Sequence, residues 1–262
     1  MLLPFRQLAP SLKNARRVIY ADMNQFPGPD GVDFFNVLAF RGVFFGSPFA
    51  QSNRYQRFNT YSEWMEFKAQ EVKIARQQGP GGKEEEYYVK KSCYGQSQTH
   101  RHTDLLEKYW DQRLLWDARF PKPTKPSITE VYKWLIKSNT INGKNVKVLK
   151  NIGTLTALLI CGDLIEADVL SMPLADEWGR LIHSLDMGAK AAMVDLGLTR
   201  ENASKVELSN AFVLLDLAVR QELDEGERAA MRYNVVMLEH ALCKIKRLIS
   251  RHIDLDVIRE EI

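Results

Sequence analysis

SKVELSNAFVLLDLAVRQELDEGERAAMRYNVVMLEHALCKIKRLI, residues 204–249, decides the fold. It opens on Ser204-Lys205-Val206-Glu207, a capping box. The serine hydroxyl and the glutamate carboxylate each take a backbone N–H that the first turn of a helix leaves free. Behind it Leu208, Phe212, Leu215 and Val219 follow a 4-3-4 spacing. Asp224-Glu225-Gly226-Glu227 repeats the start signal, and Met231, Val235, Leu238, Leu242, Ile245 and Ile249 then run 4-3-4-3-4. That spacing keeps all six on one stripe. Helices are predicted over 205–223 and 227–250. The second would be roughly 25 residues, or about 38 Å. A short polar turn would let the two pack antiparallel.

Working back from this pair, Ser127-Ile128-Thr129-Glu130 is a further capping box, opening a helix with Ile128, Val131 and Leu135 on one stripe. After Asn142-Gly143 the periodicity of Leu149, Ile152, Leu155, Leu159 and Ile165 predicts a helix over 146–166. Shorter helices are expected over 174–185 and 189–196, with a stop at Gly197. Before residue 127 the pattern is looser. Helices are predicted over 61–77 and 104–118, and strands over 17–21 and 34–45, which are rich in β-formers. The three prolines of 121–126 disfavour helix on both sides and mark a linker. The expected fold is therefore mainly α: a helical-bundle domain over 127–262, preceded by a smaller α+β or irregular domain over 1–126.

With 262 residues, 45% hydrophobic and 26% charged, the chain can bury a real core, which argues against disorder. The longest apolar run, near 155–161, is far short of the ~20 residues a bilayer demands. The first residues lack a secretory pattern. Cys93, Cys161 and Cys243 are odd in number and widely spaced, which suits a reducing compartment and an intracellular protein. Residues 1–126 carry 19 Lys/Arg against 13 Asp/Glu, and residues 127–262 carry 17 against 20. The basic half could face nucleic acid, although such asymmetry is common in soluble proteins.

Catalytic and metal chemistry find little footing. Cys93, His100 and His102 include zinc-ligating types, but structural zinc takes four ligands and no second cysteine is near. Gly79-Pro80-Gly81-Gly82-Lys83 lacks P-loop spacing and runs into Glu84-Glu85-Glu86, which would repel phosphate. Asp22, with Asp30 or Asp33, and the pair Asp163 and Glu166 are carboxylates without a spacing that makes them converge. No cofactor and no metal are expected.

Basic residues carry the leading functional expectation. Arg41, Arg54 and Arg57 interleave with aromatics including Tyr55 and Tyr61, a mixture that suits single-stranded nucleic acid unless the rings are core. Lys144, Lys147 and Lys150 recur every third residue where a helix would start, and there the dipole disfavours cations unless an anion relieves them. His240, Lys244, Arg247 and Arg251 form another stripe, and Arg6, Lys13, Arg16 and Arg17 an N-terminal cluster. The expected binding set is Arg16, Arg17, Arg54, Arg57, Lys144, Lys147, Lys150, Lys244 and Arg247, in a non-enzymatic, nucleoprotein-like RNA-binding protein that uses both halves. The alternative is an interaction or scaffold module that meets itself or another protein through the helices over 205–223 and 227–250. An enzyme with a scattered site is the third reading.

Overall fold

Helix succeeds helix along nearly the whole chain. The computed structural model describes residues 10–24, 26–94, 98–122, 125–141, 144–185 and 188–249. Among them are fifteen α-helices and a single two-stranded sheet, so the protein is mainly α. The chain divides into two compact units between Ser171 and Met172. The division thus falls well beyond the proline segment where the sequence places a linker. The first unit spans Ala9–Ser171, and the second contains Met172–Ile262.

The first unit begins with α1 (Pro10–Val18) and α2 (Val32–Ala39), the latter continued by a π-helical turn over Phe40–Phe44. Helix, or the turn that ends it, therefore stands where strands are expected over 17–21 and 34–45. For the second stretch the reason is burial on all sides: Asp33 through Ala39 are all buried, the polar Asn36 included, so no exposed polar stripe is present to reveal a 3.6-residue period. Asn36 reports the packing. Its amide donates to Phe58 O at 2.8 Å and Val32 O at 2.9 Å, and its oxygen accepts from Phe58 N at 3.0 Å. At Gly42 a Cβ would collide with the Tyr109 ring, so glycine is what lets that tyrosine close over the π-turn.

Around this centre lie α3 (Pro48–Gln51), α4 (Tyr61–Gln70), α5 (Val72–Gln78), α6 (Glu84–Tyr88), α7 (Leu105–Asp111) and α8 (Leu115–Arg119). α9 (Ile128–Leu135) begins at the expected capping box, with Ser127 Oγ accepting from Glu130 N at 3.2 Å. The helix expected from residue 146 does not start there. Instead β1 (Ser138–Ile141) pairs antiparallel with β2 (Lys144–Lys147), Ser138 opposite Lys147. Asn-Gly between two extended runs is the strongest short hairpin signal; Asn142 and Gly143 themselves lie outside the described residues. Only at Thr154 does α10 start, running to Glu166 with Thr156 through Ile165 all buried.

The second unit holds α11 (Ala175–Ile182), α12 (Ala189–Asp195), α13 (Lys205–Glu222), α14 (Glu225–Met231) and α15 (Val235–Ile249). The capping boxes at Ser204 and Asp224 form as expected. The long last helix does not. Arg232 adopts left-handed backbone (φ 50°) and closes α14. Asn234 Oδ1 then accepts from Met237 N at 3.0 Å, a fresh N-cap that restarts the helix as α15. Tyr233, at the bend, is tied to α13: its hydroxyl donates to Asp216 at 2.9 Å.

Helix pairing also departs from expectation. α13 packs chiefly on α11, and α15 on α12. The first pair is close because Gly179 presents no side chain to Ser209, whose hydroxyl donates to Asp176 O at 2.7 Å. The second pair is fastened at Lys246 Nζ and Asp195, 2.6 Å apart. Leu208 and Phe212 fill the α13 side of the core, Val235, Leu238 and Leu242 the α15 side.

Candidate functional site

The basic residues singled out by the sequence are mostly engaged within the chain. Arg16, in the last turn of α1, pairs with Glu166 on α10. Arg54 Nη1 meets Glu71 at 2.5 Å and Arg57 Nη1 meets Asp33 at 2.8 Å. Burial raises the Asp33 carboxyl above its ordinary value, against the pull of Arg57. Arg17 and Lys13 are exposed on α1. Lys244 sits half-buried on α15 in the second unit. The side chains of Lys144 and Arg247, and all of Arg6 and Arg251, lie outside what the structure describes.

Lys147 and Lys150 are not at a helix start, so the conflict with a helix dipole does not arise. They belong to β2 and the loop after it, which α7 holds in place. Gln112 Nε2 donates to Val148 O at 2.7 Å, and Tyr109 Oη to Lys150 O at 2.8 Å. Lys147 Nζ donates to Ile152 O at 2.8 Å, and burial lowers its pKa. Lys150 is solvent-exposed, and its pKa is lowered by the hydrogen bond with and charge of Lys108 on α7. The two lysine side chains thus lie near one another on the surface of the first unit.

The aromatics do not form a stacking platform. Phe34, Phe35, Phe40, Phe44, Phe49, Tyr55, Phe58 and Trp64 are all buried. Their rings pack mostly edge-on or tilted, as Phe44 does on Trp64 at 5.2 Å between centroids, while Phe49 and Phe58 stack on each other. Tyr55, a stacking candidate from the sequence, is core, and burial pushes its hydroxyl well above the ordinary range. Tyr61 alone of that pair is half-exposed.

The arginine among these rings also has a structural part. Arg41 is buried with Asp163 of α10, Nη2 donating at 2.6 Å and Nε to the other carboxylate oxygen. Tyr20 Oη adds a third donor to Asp163 at 3.0 Å. Burial works against the guanidinium's charge, but the Asp163 carboxylate more than offsets it and the Arg41 pKa rises. Arg101, wholly buried, donates to Val43 O at 2.8 Å, Arg41 O at 3.2 Å and Phe45 O at 3.3 Å. A positive charge thereby sits on the carbonyl end of the α2 segment, where the backbone dipole favours it. Sequence reasoning missed this part for Arg101, since a lone arginine between two histidines carries no sign of burial.

Among the described residues the candidate carboxylates, histidines and Cys93 do not come together as one site. Cys93 lies against Arg101, and burial raises its thiol pKa. His102 Nδ1 meets Asp104 at 3.3 Å. Among the described residues no group of three metal-ligating side chains occurs. The turn at Pro80–Gly82 is exposed, and Glu85 beyond it accepts from Thr103 N at 2.7 Å and Thr103 Oγ1 at 2.8 Å. An open depression lined by Pro27, Gly28, Pro29, Asp117, Pro121 and Lys122 offers one carboxylate and one ammonium. No described helix is long and apolar enough to cross a membrane.

The least satisfied surface is on α13. Its inner side buries Leu208, Ser209, Phe212 and Asp216. Its outer side leaves Val206 58%, Leu214 67% and Leu217 51% exposed. The sequence stripe of Leu208, Phe212, Leu215 and Val219 marks the inner side only. The outer apolar residues were legible in the same helix, but only a partner for each side reveals which stripe is spare. Comparison of the chain with protein-family models, curated proteins and solved structures gave no match.

Proposed function

We propose that the second unit is a protein-docking module and that the outer side of α13 is its contact surface. One observation carries this: three large apolar side chains, each more than half exposed, share one side of an 18-residue helix. A contiguous apolar surface of this kind is the usual mark of a partner site, because water gains when it is covered. A helix apolar on two opposite sides is at home between two neighbours, and α11 supplies one. A photoreactive amino acid in place of Leu214, in the full chain expressed in cells, tests the reading. It should give discrete crosslinked protein species that the same group in place of Glu201 does not. Equal, diffuse labelling from both positions counts against the proposal.

A second reading is favoured by the closeness of Lys108 and Lys150. Two like charges near one another repel, and a polyanion relieves both. Residues 9–171 carry 23 Lys/Arg against 17 Asp/Glu, whereas residues 172–262 carry 12 against 16. Nucleic-acid binding is on this ground a property of the first unit, through Arg17, Lys147 and Lys150, without stacking on Tyr55. Filter binding of a single strand to the full chain, lost on charge reversal at Lys108 and Lys150, supports it. Unchanged binding speaks against it.

A further inference from the structure

We infer that the β1–β2 hairpin is a ribbon that enters a groove, and that its ligand is B-form duplex DNA. The inference rests on the nucleic-acid reading of the first unit and names the form of nucleic acid that it takes.

The hairpin is exposed on both faces. Strand alternation sets Ser138 and Thr140 toward one face and Asn139 toward the other, and all three are exposed. Lys147, opposite Ser138, and Val146, opposite Asn139, are exposed as well. Among the described elements each strand packs chiefly on the other. A two-stranded ribbon with no buried face is marginal by itself. This one is held from its foot. Val148 N donates to Lys137 O at 3.0 Å, beside the bonds that Gln112 and Tyr109 make to the same loop. Asn151 Nδ2 donates to Gly42 O at 3.1 Å, and Leu149 and Ile152 are wholly buried. The fold thus anchors a ribbon whose own exposed side chains serve no core.

Charge identifies what such a ribbon meets. Residues 131–162 hold Lys133, Lys137, Lys144, Lys147 and Lys150 and not one Asp or Glu. The helix that ties the ribbon down, α7, brings Lys108 with Glu107 and Asp111, and the helix that leads into it, α9, adds Glu130. The neighbourhood therefore counts six lysines against three carboxylates. Of the three, Glu130 is engaged at Ser127, at the end of α9 away from the hairpin.

The residue types decide the form. Proteins that grip single strands stack the bases on aromatic faces. Residues 138–147 include no aromatic, and the rings from Phe34 to Trp64 that could serve are core. A duplex asks for no stacking. Its major groove, about 12 Å wide, admits a two-stranded ribbon. Ser138, Asn139 and Thr140 are of the types that hydrogen-bond base edges there, while Lys137 and Lys150 at the foot suit the phosphates on either side. In duplex RNA the major groove is too deep and narrow for side chains to read, which leaves the B form.

Fluorescence anisotropy of the full chain with a labelled DNA duplex, its single strand and the RNA duplex of the same sequence tests the inference at low salt, where electrostatic binding is strongest. The DNA duplex should bind severalfold more tightly than the other two. Lys137→Glu should weaken it severalfold, whereas Lys73→Glu, at an exposed position of α5, should not. Both variants should keep the melting temperature of the parent. Asn139→Cys should exchange with an activated disulfide tethered in the major groove of the duplex, but not with the same tether in the minor groove. Lys73→Cys should be captured by neither. A duplex that binds no more tightly than the single strand overturns the inference, as does capture of Asn139→Cys by both tethers alike or by neither. If the single strand is preferred and its binding is lost on charge reversal at Lys108 and Lys150, the ribbon inference falls and the nucleic-acid reading stands. If the chain binds no nucleic acid, or only phosphatidylserine vesicles, both fall.

Discussion

Arg41 and Asp163, 122 residues apart in sequence, meet in the core of the first unit with side chains 1% and 0% exposed. Two charges withdrawn from water are costly unless each fully satisfies the other, and here Tyr20 completes the carboxylate's set. Removing one partner strands the other, at a cost of roughly 3–5 kcal/mol. Arg41→Met is therefore expected to lower the melting temperature by on the order of 10 °C. Arg41→Met combined with Asp163→Leu should recover most of that loss, since no buried charge is left alone. Thermal denaturation of the three proteins checks this, and a double variant no better than the single one contradicts it.

The capping box at α13 should make stability depend on acid. Hydrogen bonds from Ser204, first its backbone N–H and then its hydroxyl, hold the Glu207 carboxyl below its ordinary 4.5, with Arg200 helping. A carboxyl with a depressed folded pKa contributes fully above the unfolded value, and that contribution fades as pH falls through the folded one. The melting-temperature gap between the parent and Glu207→Gln should thus be steady above the ordinary 4.5 and close as the pH falls below it. At neutral pH Ser204→Ala should cost about 1 kcal/mol.

On α15, Leu242 and Lys246 are one turn apart and should behave in opposite ways. Leu242 is 1% exposed, so Leu242→Ala removes buried surface and leaves a cavity, at roughly 2–5 kcal/mol. Lys246 pairs with Asp195 where both retain contact with water, so Lys246→Ala should cost less than about 1 kcal/mol. Urea titration measures both. Equal, small effects would mean that α15 does not pack as described.

For the nucleic-acid reading, the intrachain pairs sort the cations. Arg54 and Arg57 are held by Glu71 and Asp33, so neutralising them should leave binding unchanged. Neutralising Arg17, Lys147 and Lys150 should weaken all sequences alike and flatten the salt slope, by about 0.7 per lost contact on a single strand. Fluorescence anisotropy at several salt concentrations separates the two sets. Tyr55→Ala should act on folding instead, since that ring is 3% exposed.

The helical character of the chain was legible because its signals are local. Ser127, Ser204 and Asp224 cap helices where the capping-box pattern places them. What escaped was set by distant residues. The run from Phe34 to Phe45 reads as strand because it is rich in β-formers, and its polar residues, Asn36 and Arg41, are buried with partners in the fold and mark no solvent-facing stripe. The hairpin was announced by Asn142-Gly143, but the periodicity of Leu149 and Ile152 concealed it; those two residues are buried from a loop. The basic set was recognisable as charge, yet its carboxylate partners lie 17 residues or more away and leave no mark nearby. The outer side of α13 was hidden for the opposite reason: nothing in a helix tells which of two apolar stripes its own chain will use.

The left-handed Arg232 has a consequence for that choice. An uninterrupted helix from Glu225 onward would be a straight rod laid back along α13, and the tail of the molecule would be a plain two-helix hairpin. One residue of reversed backbone twist, locked by the Tyr233–Asp216 bond, steers the rod onto α12 and α11 instead. The inner stripe of α13 that a hairpin would have sealed is handed to α11, and the arm that would have covered it goes to α12. A single corner in the chain thereby turns what would be one hairpin into two helix pairs joined through α11.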